Sequence, residues 1–147
     1  MTRIVVLNGP NLGRLGSRDP EVYGHATLSD IHATLDAQCP AGVSCEVRQT
    51  DSEAELISWL HEAIDTGSPV ILNPAAFTHY SYALRDAAEM VTQAGLPLIE
   101  IHLSNPHQRE SFRRQSVISA VATGVIAGFG ADSYILALQQ ITRMAGN

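Results

Sequence analysis

The chain has no lysine among its 147 residues, so arginine supplies every fixed side-chain cation. This absence excludes several kinds of chemistry, because a Schiff base, a pyridoxal phosphate anchor and the phosphate-binding loop of many nucleotide enzymes each require a lysine. Arginine instead suits two-pronged binding of a carboxylate or a phosphate. An anionic small molecule is therefore a reasonable ligand, even though the formal net charge is −6.

Other features are also missing. The sequence has no block of like charge, so we do not expect nucleic-acid binding. No apolar run approaches the roughly 20 residues of a membrane span, and no secretory signal precedes the first strand, so we expect a cytoplasmic protein without a membrane partner. Cysteine occurs only at Cys39 and Cys45. Their spacing fits neither a redox motif nor a zinc site and predicts free thiols.

The hydrophobic content of 45% suits one catalytic domain over residues 1–147. Short apolar runs that alternate with helical patterns predict βαβ units and a parallel sheet covered on both faces. Strands are predicted at 3–7, 44–49, 69–72, 98–102 and 124–128. Helices are predicted at about 27–38, behind a capping box at Ser52-Glu53-Ala54-Glu55, at about 81–94 and at about 132–144. The first of them opens with a second capping box, Thr27-Leu28-Ser29-Asp30. The predicted fold class is α/β: a flavodoxin-like, doubly wound, five-stranded parallel sheet in three α/β/α layers.

A long polar loop follows the first strand and runs from Asn8 to Tyr23. In an open α/β sheet, ligands bind in the crevice outside the carboxyl ends of the strands. Connections between a strand and a helix usually have about 2–6 residues, and longer ones tend to be functional. We therefore interpret this loop, which carries Asn11, Arg14 and Arg18, as part of a site rather than as a simple turn.

Two further strand ends, at Asn73 to His79 and at His102 to Asn105, reach the same edge of the predicted sheet. Strand periodicity places Glu100 and His102 on one face, where a carboxylate can fix the tautomer of a histidine and raise its basicity. A solvent-facing pair at a fraying strand end is the less favoured alternative. His79 and His102 could bind a metal, but the spacing supplies no third ligand, so a metal is disfavoured.

Tyr23 admits two interpretations. A tyrosine after a loop usually packs against the fold and leaves its hydroxyl at the surface. Here Arg18 lies on the same loop, and Arg109, Arg113 and Arg114 follow the fourth strand. Nearby cations favour the phenolate, which can act as a general base. The residues alone do not decide between these roles.

Several motifs, in order and at characteristic spacing, resemble those of the type II 3-dehydroquinate dehydratases. They cover almost the whole chain and occur at 7–13 (LNGPNLG) with Arg18 and Tyr23-Gly24, at 49–53 (QTDSE), at 73–79 (NPAAFTH) with 83–87 (ALRDA), at 100–105 (EIHLSN) and at 112–114 (FRR).

The resemblance implies loss of water from 3-dehydroquinate to give 3-dehydroshikimate, by anti elimination through an enolate in the shikimate pathway of aromatic amino-acid biosynthesis. It implies that Tyr23 removes the proton alpha to the ketone and that Arg18 keeps the tyrosine phenolate-like. Asn11 would steady the enolate, and His102 would protonate the departing hydroxyl while Glu100 holds it in place. No cofactor or metal is implied.

The same resemblance implies the substrate-binding set. Its members are Asn73, His79, the Leu103 backbone with Ser104, and Arg113, with Arg109 at the site in a less defined role. Asp86 matches a position that reaches the site of a neighbouring subunit. The implied assembly is a homo-oligomer, a dodecamer built as a tetramer of trimers.

Some positions depart from the family pattern. Ala75-Ala76 stands where at least one glycine is common, so an extra methyl is expected to narrow the substrate-binding turn. Phe77 replaces a frequent tyrosine, and Tyr80 and Tyr82 are larger than expected, which suggests an altered helix start or subunit contact.

A flavodoxin-like small-molecule binding or signalling module without catalysis is the alternative function. A phospho-receiver would need clustered acids after the first strand and a lysine after the last strand, and the sequence has neither. A flavin carrier would need a phosphate loop rich in serine and threonine where Asn8-Gly9-Pro10-Asn11 stands.

Overall fold

Five parallel strands form one sheet in a computed structural model that describes residues 1–145. The strands are β1 (Thr2–Asn8), β2 (Val43–Gln49), β3 (Val70–Asn73), β4 (Leu98–His102) and β5 (Gly124–Ala127). Their order across the sheet is β2-β1-β3-β4-β5, and every neighbouring pair is parallel. This is the flavodoxin-like order, so the predicted fold class is confirmed.

Helices cover both faces of the sheet. They are α1 (Pro20–Tyr23), α2 (Leu28–Gln38), α3 (Glu53–Thr66), α4 (Tyr82–Gln93) and α5 (Asp132–Ala145). Strand alternation sends Ile4 and Val6 into a core with α2 and α5, and sends Val5 and Leu7 into a core with α3 and α4. Both faces are thus buried, which explains why the central strands are continuous apolar runs.

The helix starts follow the sequence signals with one difference. Thr27 and Asp30 form the predicted capping box at the start of α2. The hydroxyl of Ser52 accepts from the amide of Glu55 and caps α3, but the amide of Ser52 itself donates to the Thr50 hydroxyl. The capping box predicted at Ser52 is therefore wrong, because Thr50 occupies the position of the returning glutamate.

The ends of the strands and the first loop also differ in detail from the sequence prediction. β1 and β3 extend to Asn8 and Asn73, so the first polar residue at each end is still part of the strand. The loop after β1 contains the short helix α1, which was not predicted and which ends at Tyr23.

Cys39 and Cys45 are free thiols, as predicted, with sulfur atoms 3.5 Å apart. Within residues 1–145, none of the helices combines the length and the apolar character needed to cross a membrane.

Candidate active site

A cavity opens at the carboxyl edge of the sheet, where the ends of β1, β3 and β4 meet. It brings together all the predicted site residues except Glu100 and Asp86. The predicted residues that line it are Asn11, Arg18, Tyr23, Asn73, His79, His102, Leu103, Ser104, Arg109 and Arg113. Sequence reasoning did not identify Pro10, Leu12 and Pro106, which also line it together with Ala75 and Ala76.

Close backbone contact holds the carboxyl ends of β1 and β3 together. Asn8 lies directly opposite Asn73 in the sheet, and the amide of Gly9 donates a 2.8 Å hydrogen bond to the Asn73 carbonyl. A Cβ atom at Gly9 would lie 2.6 Å from the carbonyl oxygen of Pro74, so a side chain here would force the two turns apart. The close approach of the two turns therefore explains why glycine occupies the second position of the Asn-Gly-Pro-Asn motif.

Tyr23 lies between two arginines. Arg109 donates a 2.8 Å hydrogen bond from its guanidinium to the Tyr23 hydroxyl and a 3.1 Å bond to the Ser104 hydroxyl. The guanidinium carbon of Arg18 lies 4.4 Å from the centre of the Tyr23 ring. Of these two cations, the one that contacts the hydroxyl oxygen is Arg109 rather than Arg18.

His102 and Glu100 form the predicted dyad. Nε2 of His102 lies 2.5 Å from a carboxylate oxygen of Glu100, whose side chain is wholly buried, while the His102 side chain is 12% exposed. Burial alone would raise the pKa of Glu100, but the hydrogen bond to His102 and its charge lower the pKa, with help from the Ser119 and Thr78 hydroxyls. Because Nε2 faces Glu100, Nδ1 is the ring nitrogen left to act on a ligand.

Three hydroxyls surround Glu100 on the side away from the cavity. Thr78 donates at 2.6 Å, Ser119 at 2.5 Å, and the oxygen of Ser116 lies 3.0 Å and 3.2 Å from the two carboxylate oxygens. Sequence reasoning missed all three. The available signal was an acid within an otherwise apolar strand, since a buried carboxylate requires donors.

A buried tyrosine from α5 joins the ends of β1 and β3. The hydroxyl of Tyr134 donates to the side-chain oxygen of Asn8 at 2.5 Å and accepts from the side-chain nitrogen of Asn73 at 3.1 Å. The other side-chain atom of Asn73, its oxygen, accepts from the amide of Ala75. Asn73 is thus fixed at both ends of its amide, which leaves one N–H hydrogen for a ligand.

The turn after β3 contains Ala75 and Ala76, the pair that stands where the family commonly has a glycine. Ala75 has a φ of 51°, in the left-handed region that favours glycine, and both Ala75 and Ala76 line the cavity. Tyr80 and Tyr82 are exposed and do not line the cavity. The helix beside them starts normally, since the Ser81 hydroxyl accepts from the Leu84 amide.

Three other predicted residues have distinct surroundings. Nδ1 of His79 lies 2.8 Å from the carbonyl oxygen of Gln115, and Nε of Arg113 donates to Glu110 at 3.1 Å. Asp86 is exposed on α4 and does not line the cavity of its own chain.

The charge of the cavity suits an anion. Three of its lining residues, Arg18, Arg109 and Arg113, are arginines, and none of the residues that line it is an aspartate or a glutamate. The phenolate form of a tyrosine beside two guanidiniums can accept a proton, and the imidazolium form of a histidine backed by a carboxylate can donate one. The arrangement can therefore remove one proton and deliver another to the same bound molecule.

The sequence matches the family model described as dehydroquinase class II over residues 2–142. Among curated relatives, 3-dehydroquinate dehydratase of Salinispora tropica is 54% identical over 97% of this chain and 99% of its own length. The 3-dehydroquinate dehydratase of Mycobacterium leprae (strain TN) is 49% identical over the full length of both chains.

Solved structures lead to the same family. The crystal structure of type II dehydroquinase from Propionibacterium acnes has a TM-score of 0.89 and 47% identity, and the match covers 97% of each chain. The type II dehydroquinase from Butyrivibrio crossotus has a TM-score of 0.90 and 36% identity over 96% of this chain and 97% of its own. The chain described here belongs to the class II dehydroquinase family and is an enzyme of the hydro-lyase class.

Proposed function

We propose that this enzyme converts 3-dehydroquinate to 3-dehydroshikimate and water, by anti elimination through an enolate, as a step of aromatic amino-acid biosynthesis in the cytoplasm. One observation carries the proposal: a cation-flanked tyrosine and a carboxylate-backed histidine face the same arginine-lined cavity. Removing water from a β-hydroxy ketone requires a base at the alpha carbon and an acid at the leaving oxygen.

Tyr23 is the base in this proposal. Arg109 contacts its hydroxyl and Arg18 lies over its ring, so both stabilise the phenolate that removes the alpha proton. Asn11, at the rim of the cavity, steadies the developing enolate. Placing donors and cations in advance where negative charge develops lowers the barrier without reorganisation during the reaction.

His102 is the acid. Its Nε2 is held by Glu100, so the proton delivered to the departing hydroxyl leaves from Nδ1. The buried negative charge of Glu100 stabilises the imidazolium before the transfer, and the fixed ring orientation directs the proton. The hydroxyl leaves with this proton as the enolate collapses. The reaction thereby releases one water molecule.

Substrate binding follows from the remaining residues of the cavity. Arg113 suits the carboxylate of the substrate, and Asn73 and His79 suit its hydroxyls. The Leu103 backbone and Ser104 complete the set. These contacts hold the alpha carbon near Tyr23 and the leaving oxygen near His102, and such positioning accounts for much of the rate in comparable reactions.

We also propose that the enzyme assembles as a dodecamer, a tetramer of trimers, in which Asp86 completes the site of a neighbouring subunit. The exposure of Asp86 and its absence from the cavity of its own chain support this role. Light scattering of the purified protein tests the assembly, and a monomer would contradict it.

The activity test follows the absorbance of the conjugated enone product after 3-dehydroquinate is mixed with enzyme in the presence of a chelator. We expect turnover by the wild type and a loss of about 10²–10⁴-fold in Tyr23→Phe, which keeps the ring and removes the acid–base group. Tyr82→Phe is the matched control, because Tyr82 is exposed outside the cavity. Failure of the wild type to form the enone would exclude the proposed reaction.

A further inference from the structure

Glu100 is a buried charge whose contacts extend well beyond His102. Its side chain has no exposed surface, and an isolated carboxylate in that position would favour the neutral form. A neutral Glu100 would no longer balance the charge of a protonated His102. Groups other than His102 that keep this carboxylate ionised therefore matter for the histidine, even where they do not line the substrate cavity.

Three hydroxyls meet this need, and two separate segments supply them. Thr78 lies in the turn after β3, and its hydroxyl donates to the same oxygen of Glu100 that His102 contacts. Ser119 donates to the other oxygen. Ser116 lies between them, within 2.6 Å of the Thr78 hydroxyl and within 3.2 Å of both carboxylate oxygens. Both oxygens of the carboxylate are thereby bound.

The backbone fixes the hydroxyl cluster itself. The oxygen of Ser116 accepts hydrogen bonds of 3.0 Å from the amides of Ile118 and Ser119. Its remaining hydrogen must then point towards Thr78 or Glu100. In addition, the amide of Val117 donates to the carbonyl of Thr78 at 2.7 Å, which ties the two contributing segments together.

We propose that Thr78, Ser116 and Ser119 are positioning residues that keep Glu100 ionised and immobile so that it can hold His102 as the proton donor. The inference rests on the proposed role of His102 in the dehydration. None of the three hydroxyl residues lines the substrate cavity; they line a second cavity behind the His102–Glu100 pair. Their effect on the reaction therefore passes through Glu100.

Other charged and titratable groups face the pair from the elements around it. Those that share the second cavity are His79, His107, Arg113 and Arg114, and Tyr23, Arg18 and Arg109 lie on the substrate side. All these groups are present in wild type and variants alike, and none of the substitutions alters them. A change on removing a hydroxyl therefore reports the lost hydrogen bond.

Thr78→Val and Thr78→Ser form the decisive pair. Valine keeps the shape and removes the hydroxyl, whereas serine keeps the hydroxyl and removes a methyl group. We expect kcat to fall about tenfold or more in Thr78→Val with KM nearly unchanged, since one hydrogen bond to a charged group is lost outside the substrate cavity. Removing a donor disfavours the anion, so the acidic limb of the kcat–pH profile should move to higher pH. Thr78→Ser should restore most of the wild-type kcat and most of the wild-type position of the acidic limb.

Ser119→Ala provides a second variant, should Thr78→Val fail to fold. Ser58→Ala is its control, because the Ser58 hydroxyl bonds only a helix carbonyl on α3.

The direct readout is the infrared carboxyl band of protonated Glu100, assigned by its loss in Glu100→Gln and titrated without substrate. In Thr78→Val and Ser119→Ala this band should persist to higher pH than in the wild type.

The outcomes separate this inference from the proposed function. If the infrared titration of Glu100 and the acidic limb of kcat match the wild type in both folded variants, the positioning role is wrong. A shifted infrared titration in an enzyme that does not dehydrate 3-dehydroquinate would support the hydroxyl cluster and overturn the proposed reaction. An increase in KM with unchanged kcat would also contradict the positioning role.

Discussion

The guanidinium of Arg109 donates a hydrogen bond of 2.8 Å to the hydroxyl of Tyr23, which lies 86 positions earlier in the chain. Arg18, on the same loop as Tyr23, lies closer to the centre of the ring than Arg109 does, at 4.4 Å against 5.1 Å. The two cations therefore differ in what they can stabilise. A donor at the oxygen contacts the atom where most of the phenolate charge resides, whereas a cation over the ring acts through the π face.

Arg109→Gln should therefore reduce catalysis strongly. We expect kcat to fall by about 10²–10³-fold, the range seen when one donor to a developing charge is removed. Arg14→Gln is the matched control: it makes the same charge change on the exposed part of the loop, outside the cavity. Equal losses in the two variants would show a general charge effect.

Ala75→Gly should stabilise the protein. Ala75 has a φ of 51°, and a left-handed conformation costs a residue with a Cβ about 1–2 kcal/mol. Glycine removes that cost but makes the unfolded chain more flexible, so we expect a net gain of up to about 1 kcal/mol in the free energy of unfolding. Ala76→Gly, where φ is not positive, should destabilise instead. Urea unfolding of both variants measures the difference, and two changes of the same sign would contradict the explanation by strain.

The sheet and the dyad could be predicted because they depend on local periodicity. A buried parallel strand must be apolar on both faces, and the run from Ile4 to Leu7 meets that condition. The two-residue period of a strand places Glu100 and His102 together without knowledge of the remaining fold. The convergence of Asn11, Asn73 and His102 followed from a general property of parallel sheets, that their carboxyl ends share one edge.

The partners of these residues could not be predicted in the same way. Tyr134 reaches Asn8 only because α5 packs across the sheet, and its pattern within the helix is that of any core residue. Ser116 lies in an irregular segment and Ser119 begins a 3-10 helix of three residues (Ser119–Val121), which is too short for a periodicity to indicate which side chains turn inward. The pairing of Tyr23 with Arg109 rather than Arg18 depends on the path of two loops. Each of these contacts is set by tertiary packing between distant segments.

Tyr134→Phe should destabilise the protein near neutral pH. The substitution removes a hydroxyl that satisfies both Asn8 and Asn73 in a fully buried position. Leaving buried polar groups without partners costs about 1–3 kcal/mol, and we expect a loss of that size in the free energy of unfolding, measured by urea denaturation. Thr142→Val serves as a control on α5, since its hydroxyl bonds only a helix carbonyl. Equal stability of wild type and Tyr134→Phe would exclude the structural role of the hydroxyl.

The same residue predicts how stability depends on alkaline pH. Burial raises the pKa of Tyr134 in the folded protein, although the hydrogen bond from Asn73 opposes the rise. A raised folded-state pKa contributes stability that is complete below the unfolded-state pKa of about 10 and is lost as pH rises further. Burial also raises the pKa of Cys45, to about 12. This adds a further loss of stability as the pH rises above the ordinary pKa of a thiol. From pH 9 to 11 the wild type should lose more stability than Tyr134→Phe, because only the Cys45 contribution is common to both; parallel curves would contradict this.

The loop from Asn11 to Tyr23 should close over a bound ligand. Its backbone is left-handed at Asn11 and Asp19, and α1 carries Tyr23 over the cavity. The Arg109–Tyr23 bond and the Asn11 amide bond to Asp51 hold the loop to the rest of the fold at its two ends. A substrate analogue that contacts Arg18 and Tyr23 adds further bonds along the loop, so its opening becomes less frequent.

Hydrogen exchange with and without a non-reacting carboxylate analogue of the substrate measures this closure. We expect slower exchange of the amides between Asn11 and Tyr23 in the complex, and unchanged exchange in α3, which lies on the opposite face of the sheet from the core that Tyr23 contacts. Arg18→Gln should weaken the protection of the loop more than Arg14→Gln does, because only Arg18 lines the cavity. Equal exchange in the free and bound enzyme, at saturating analogue, would mean that the loop is already closed before the substrate arrives.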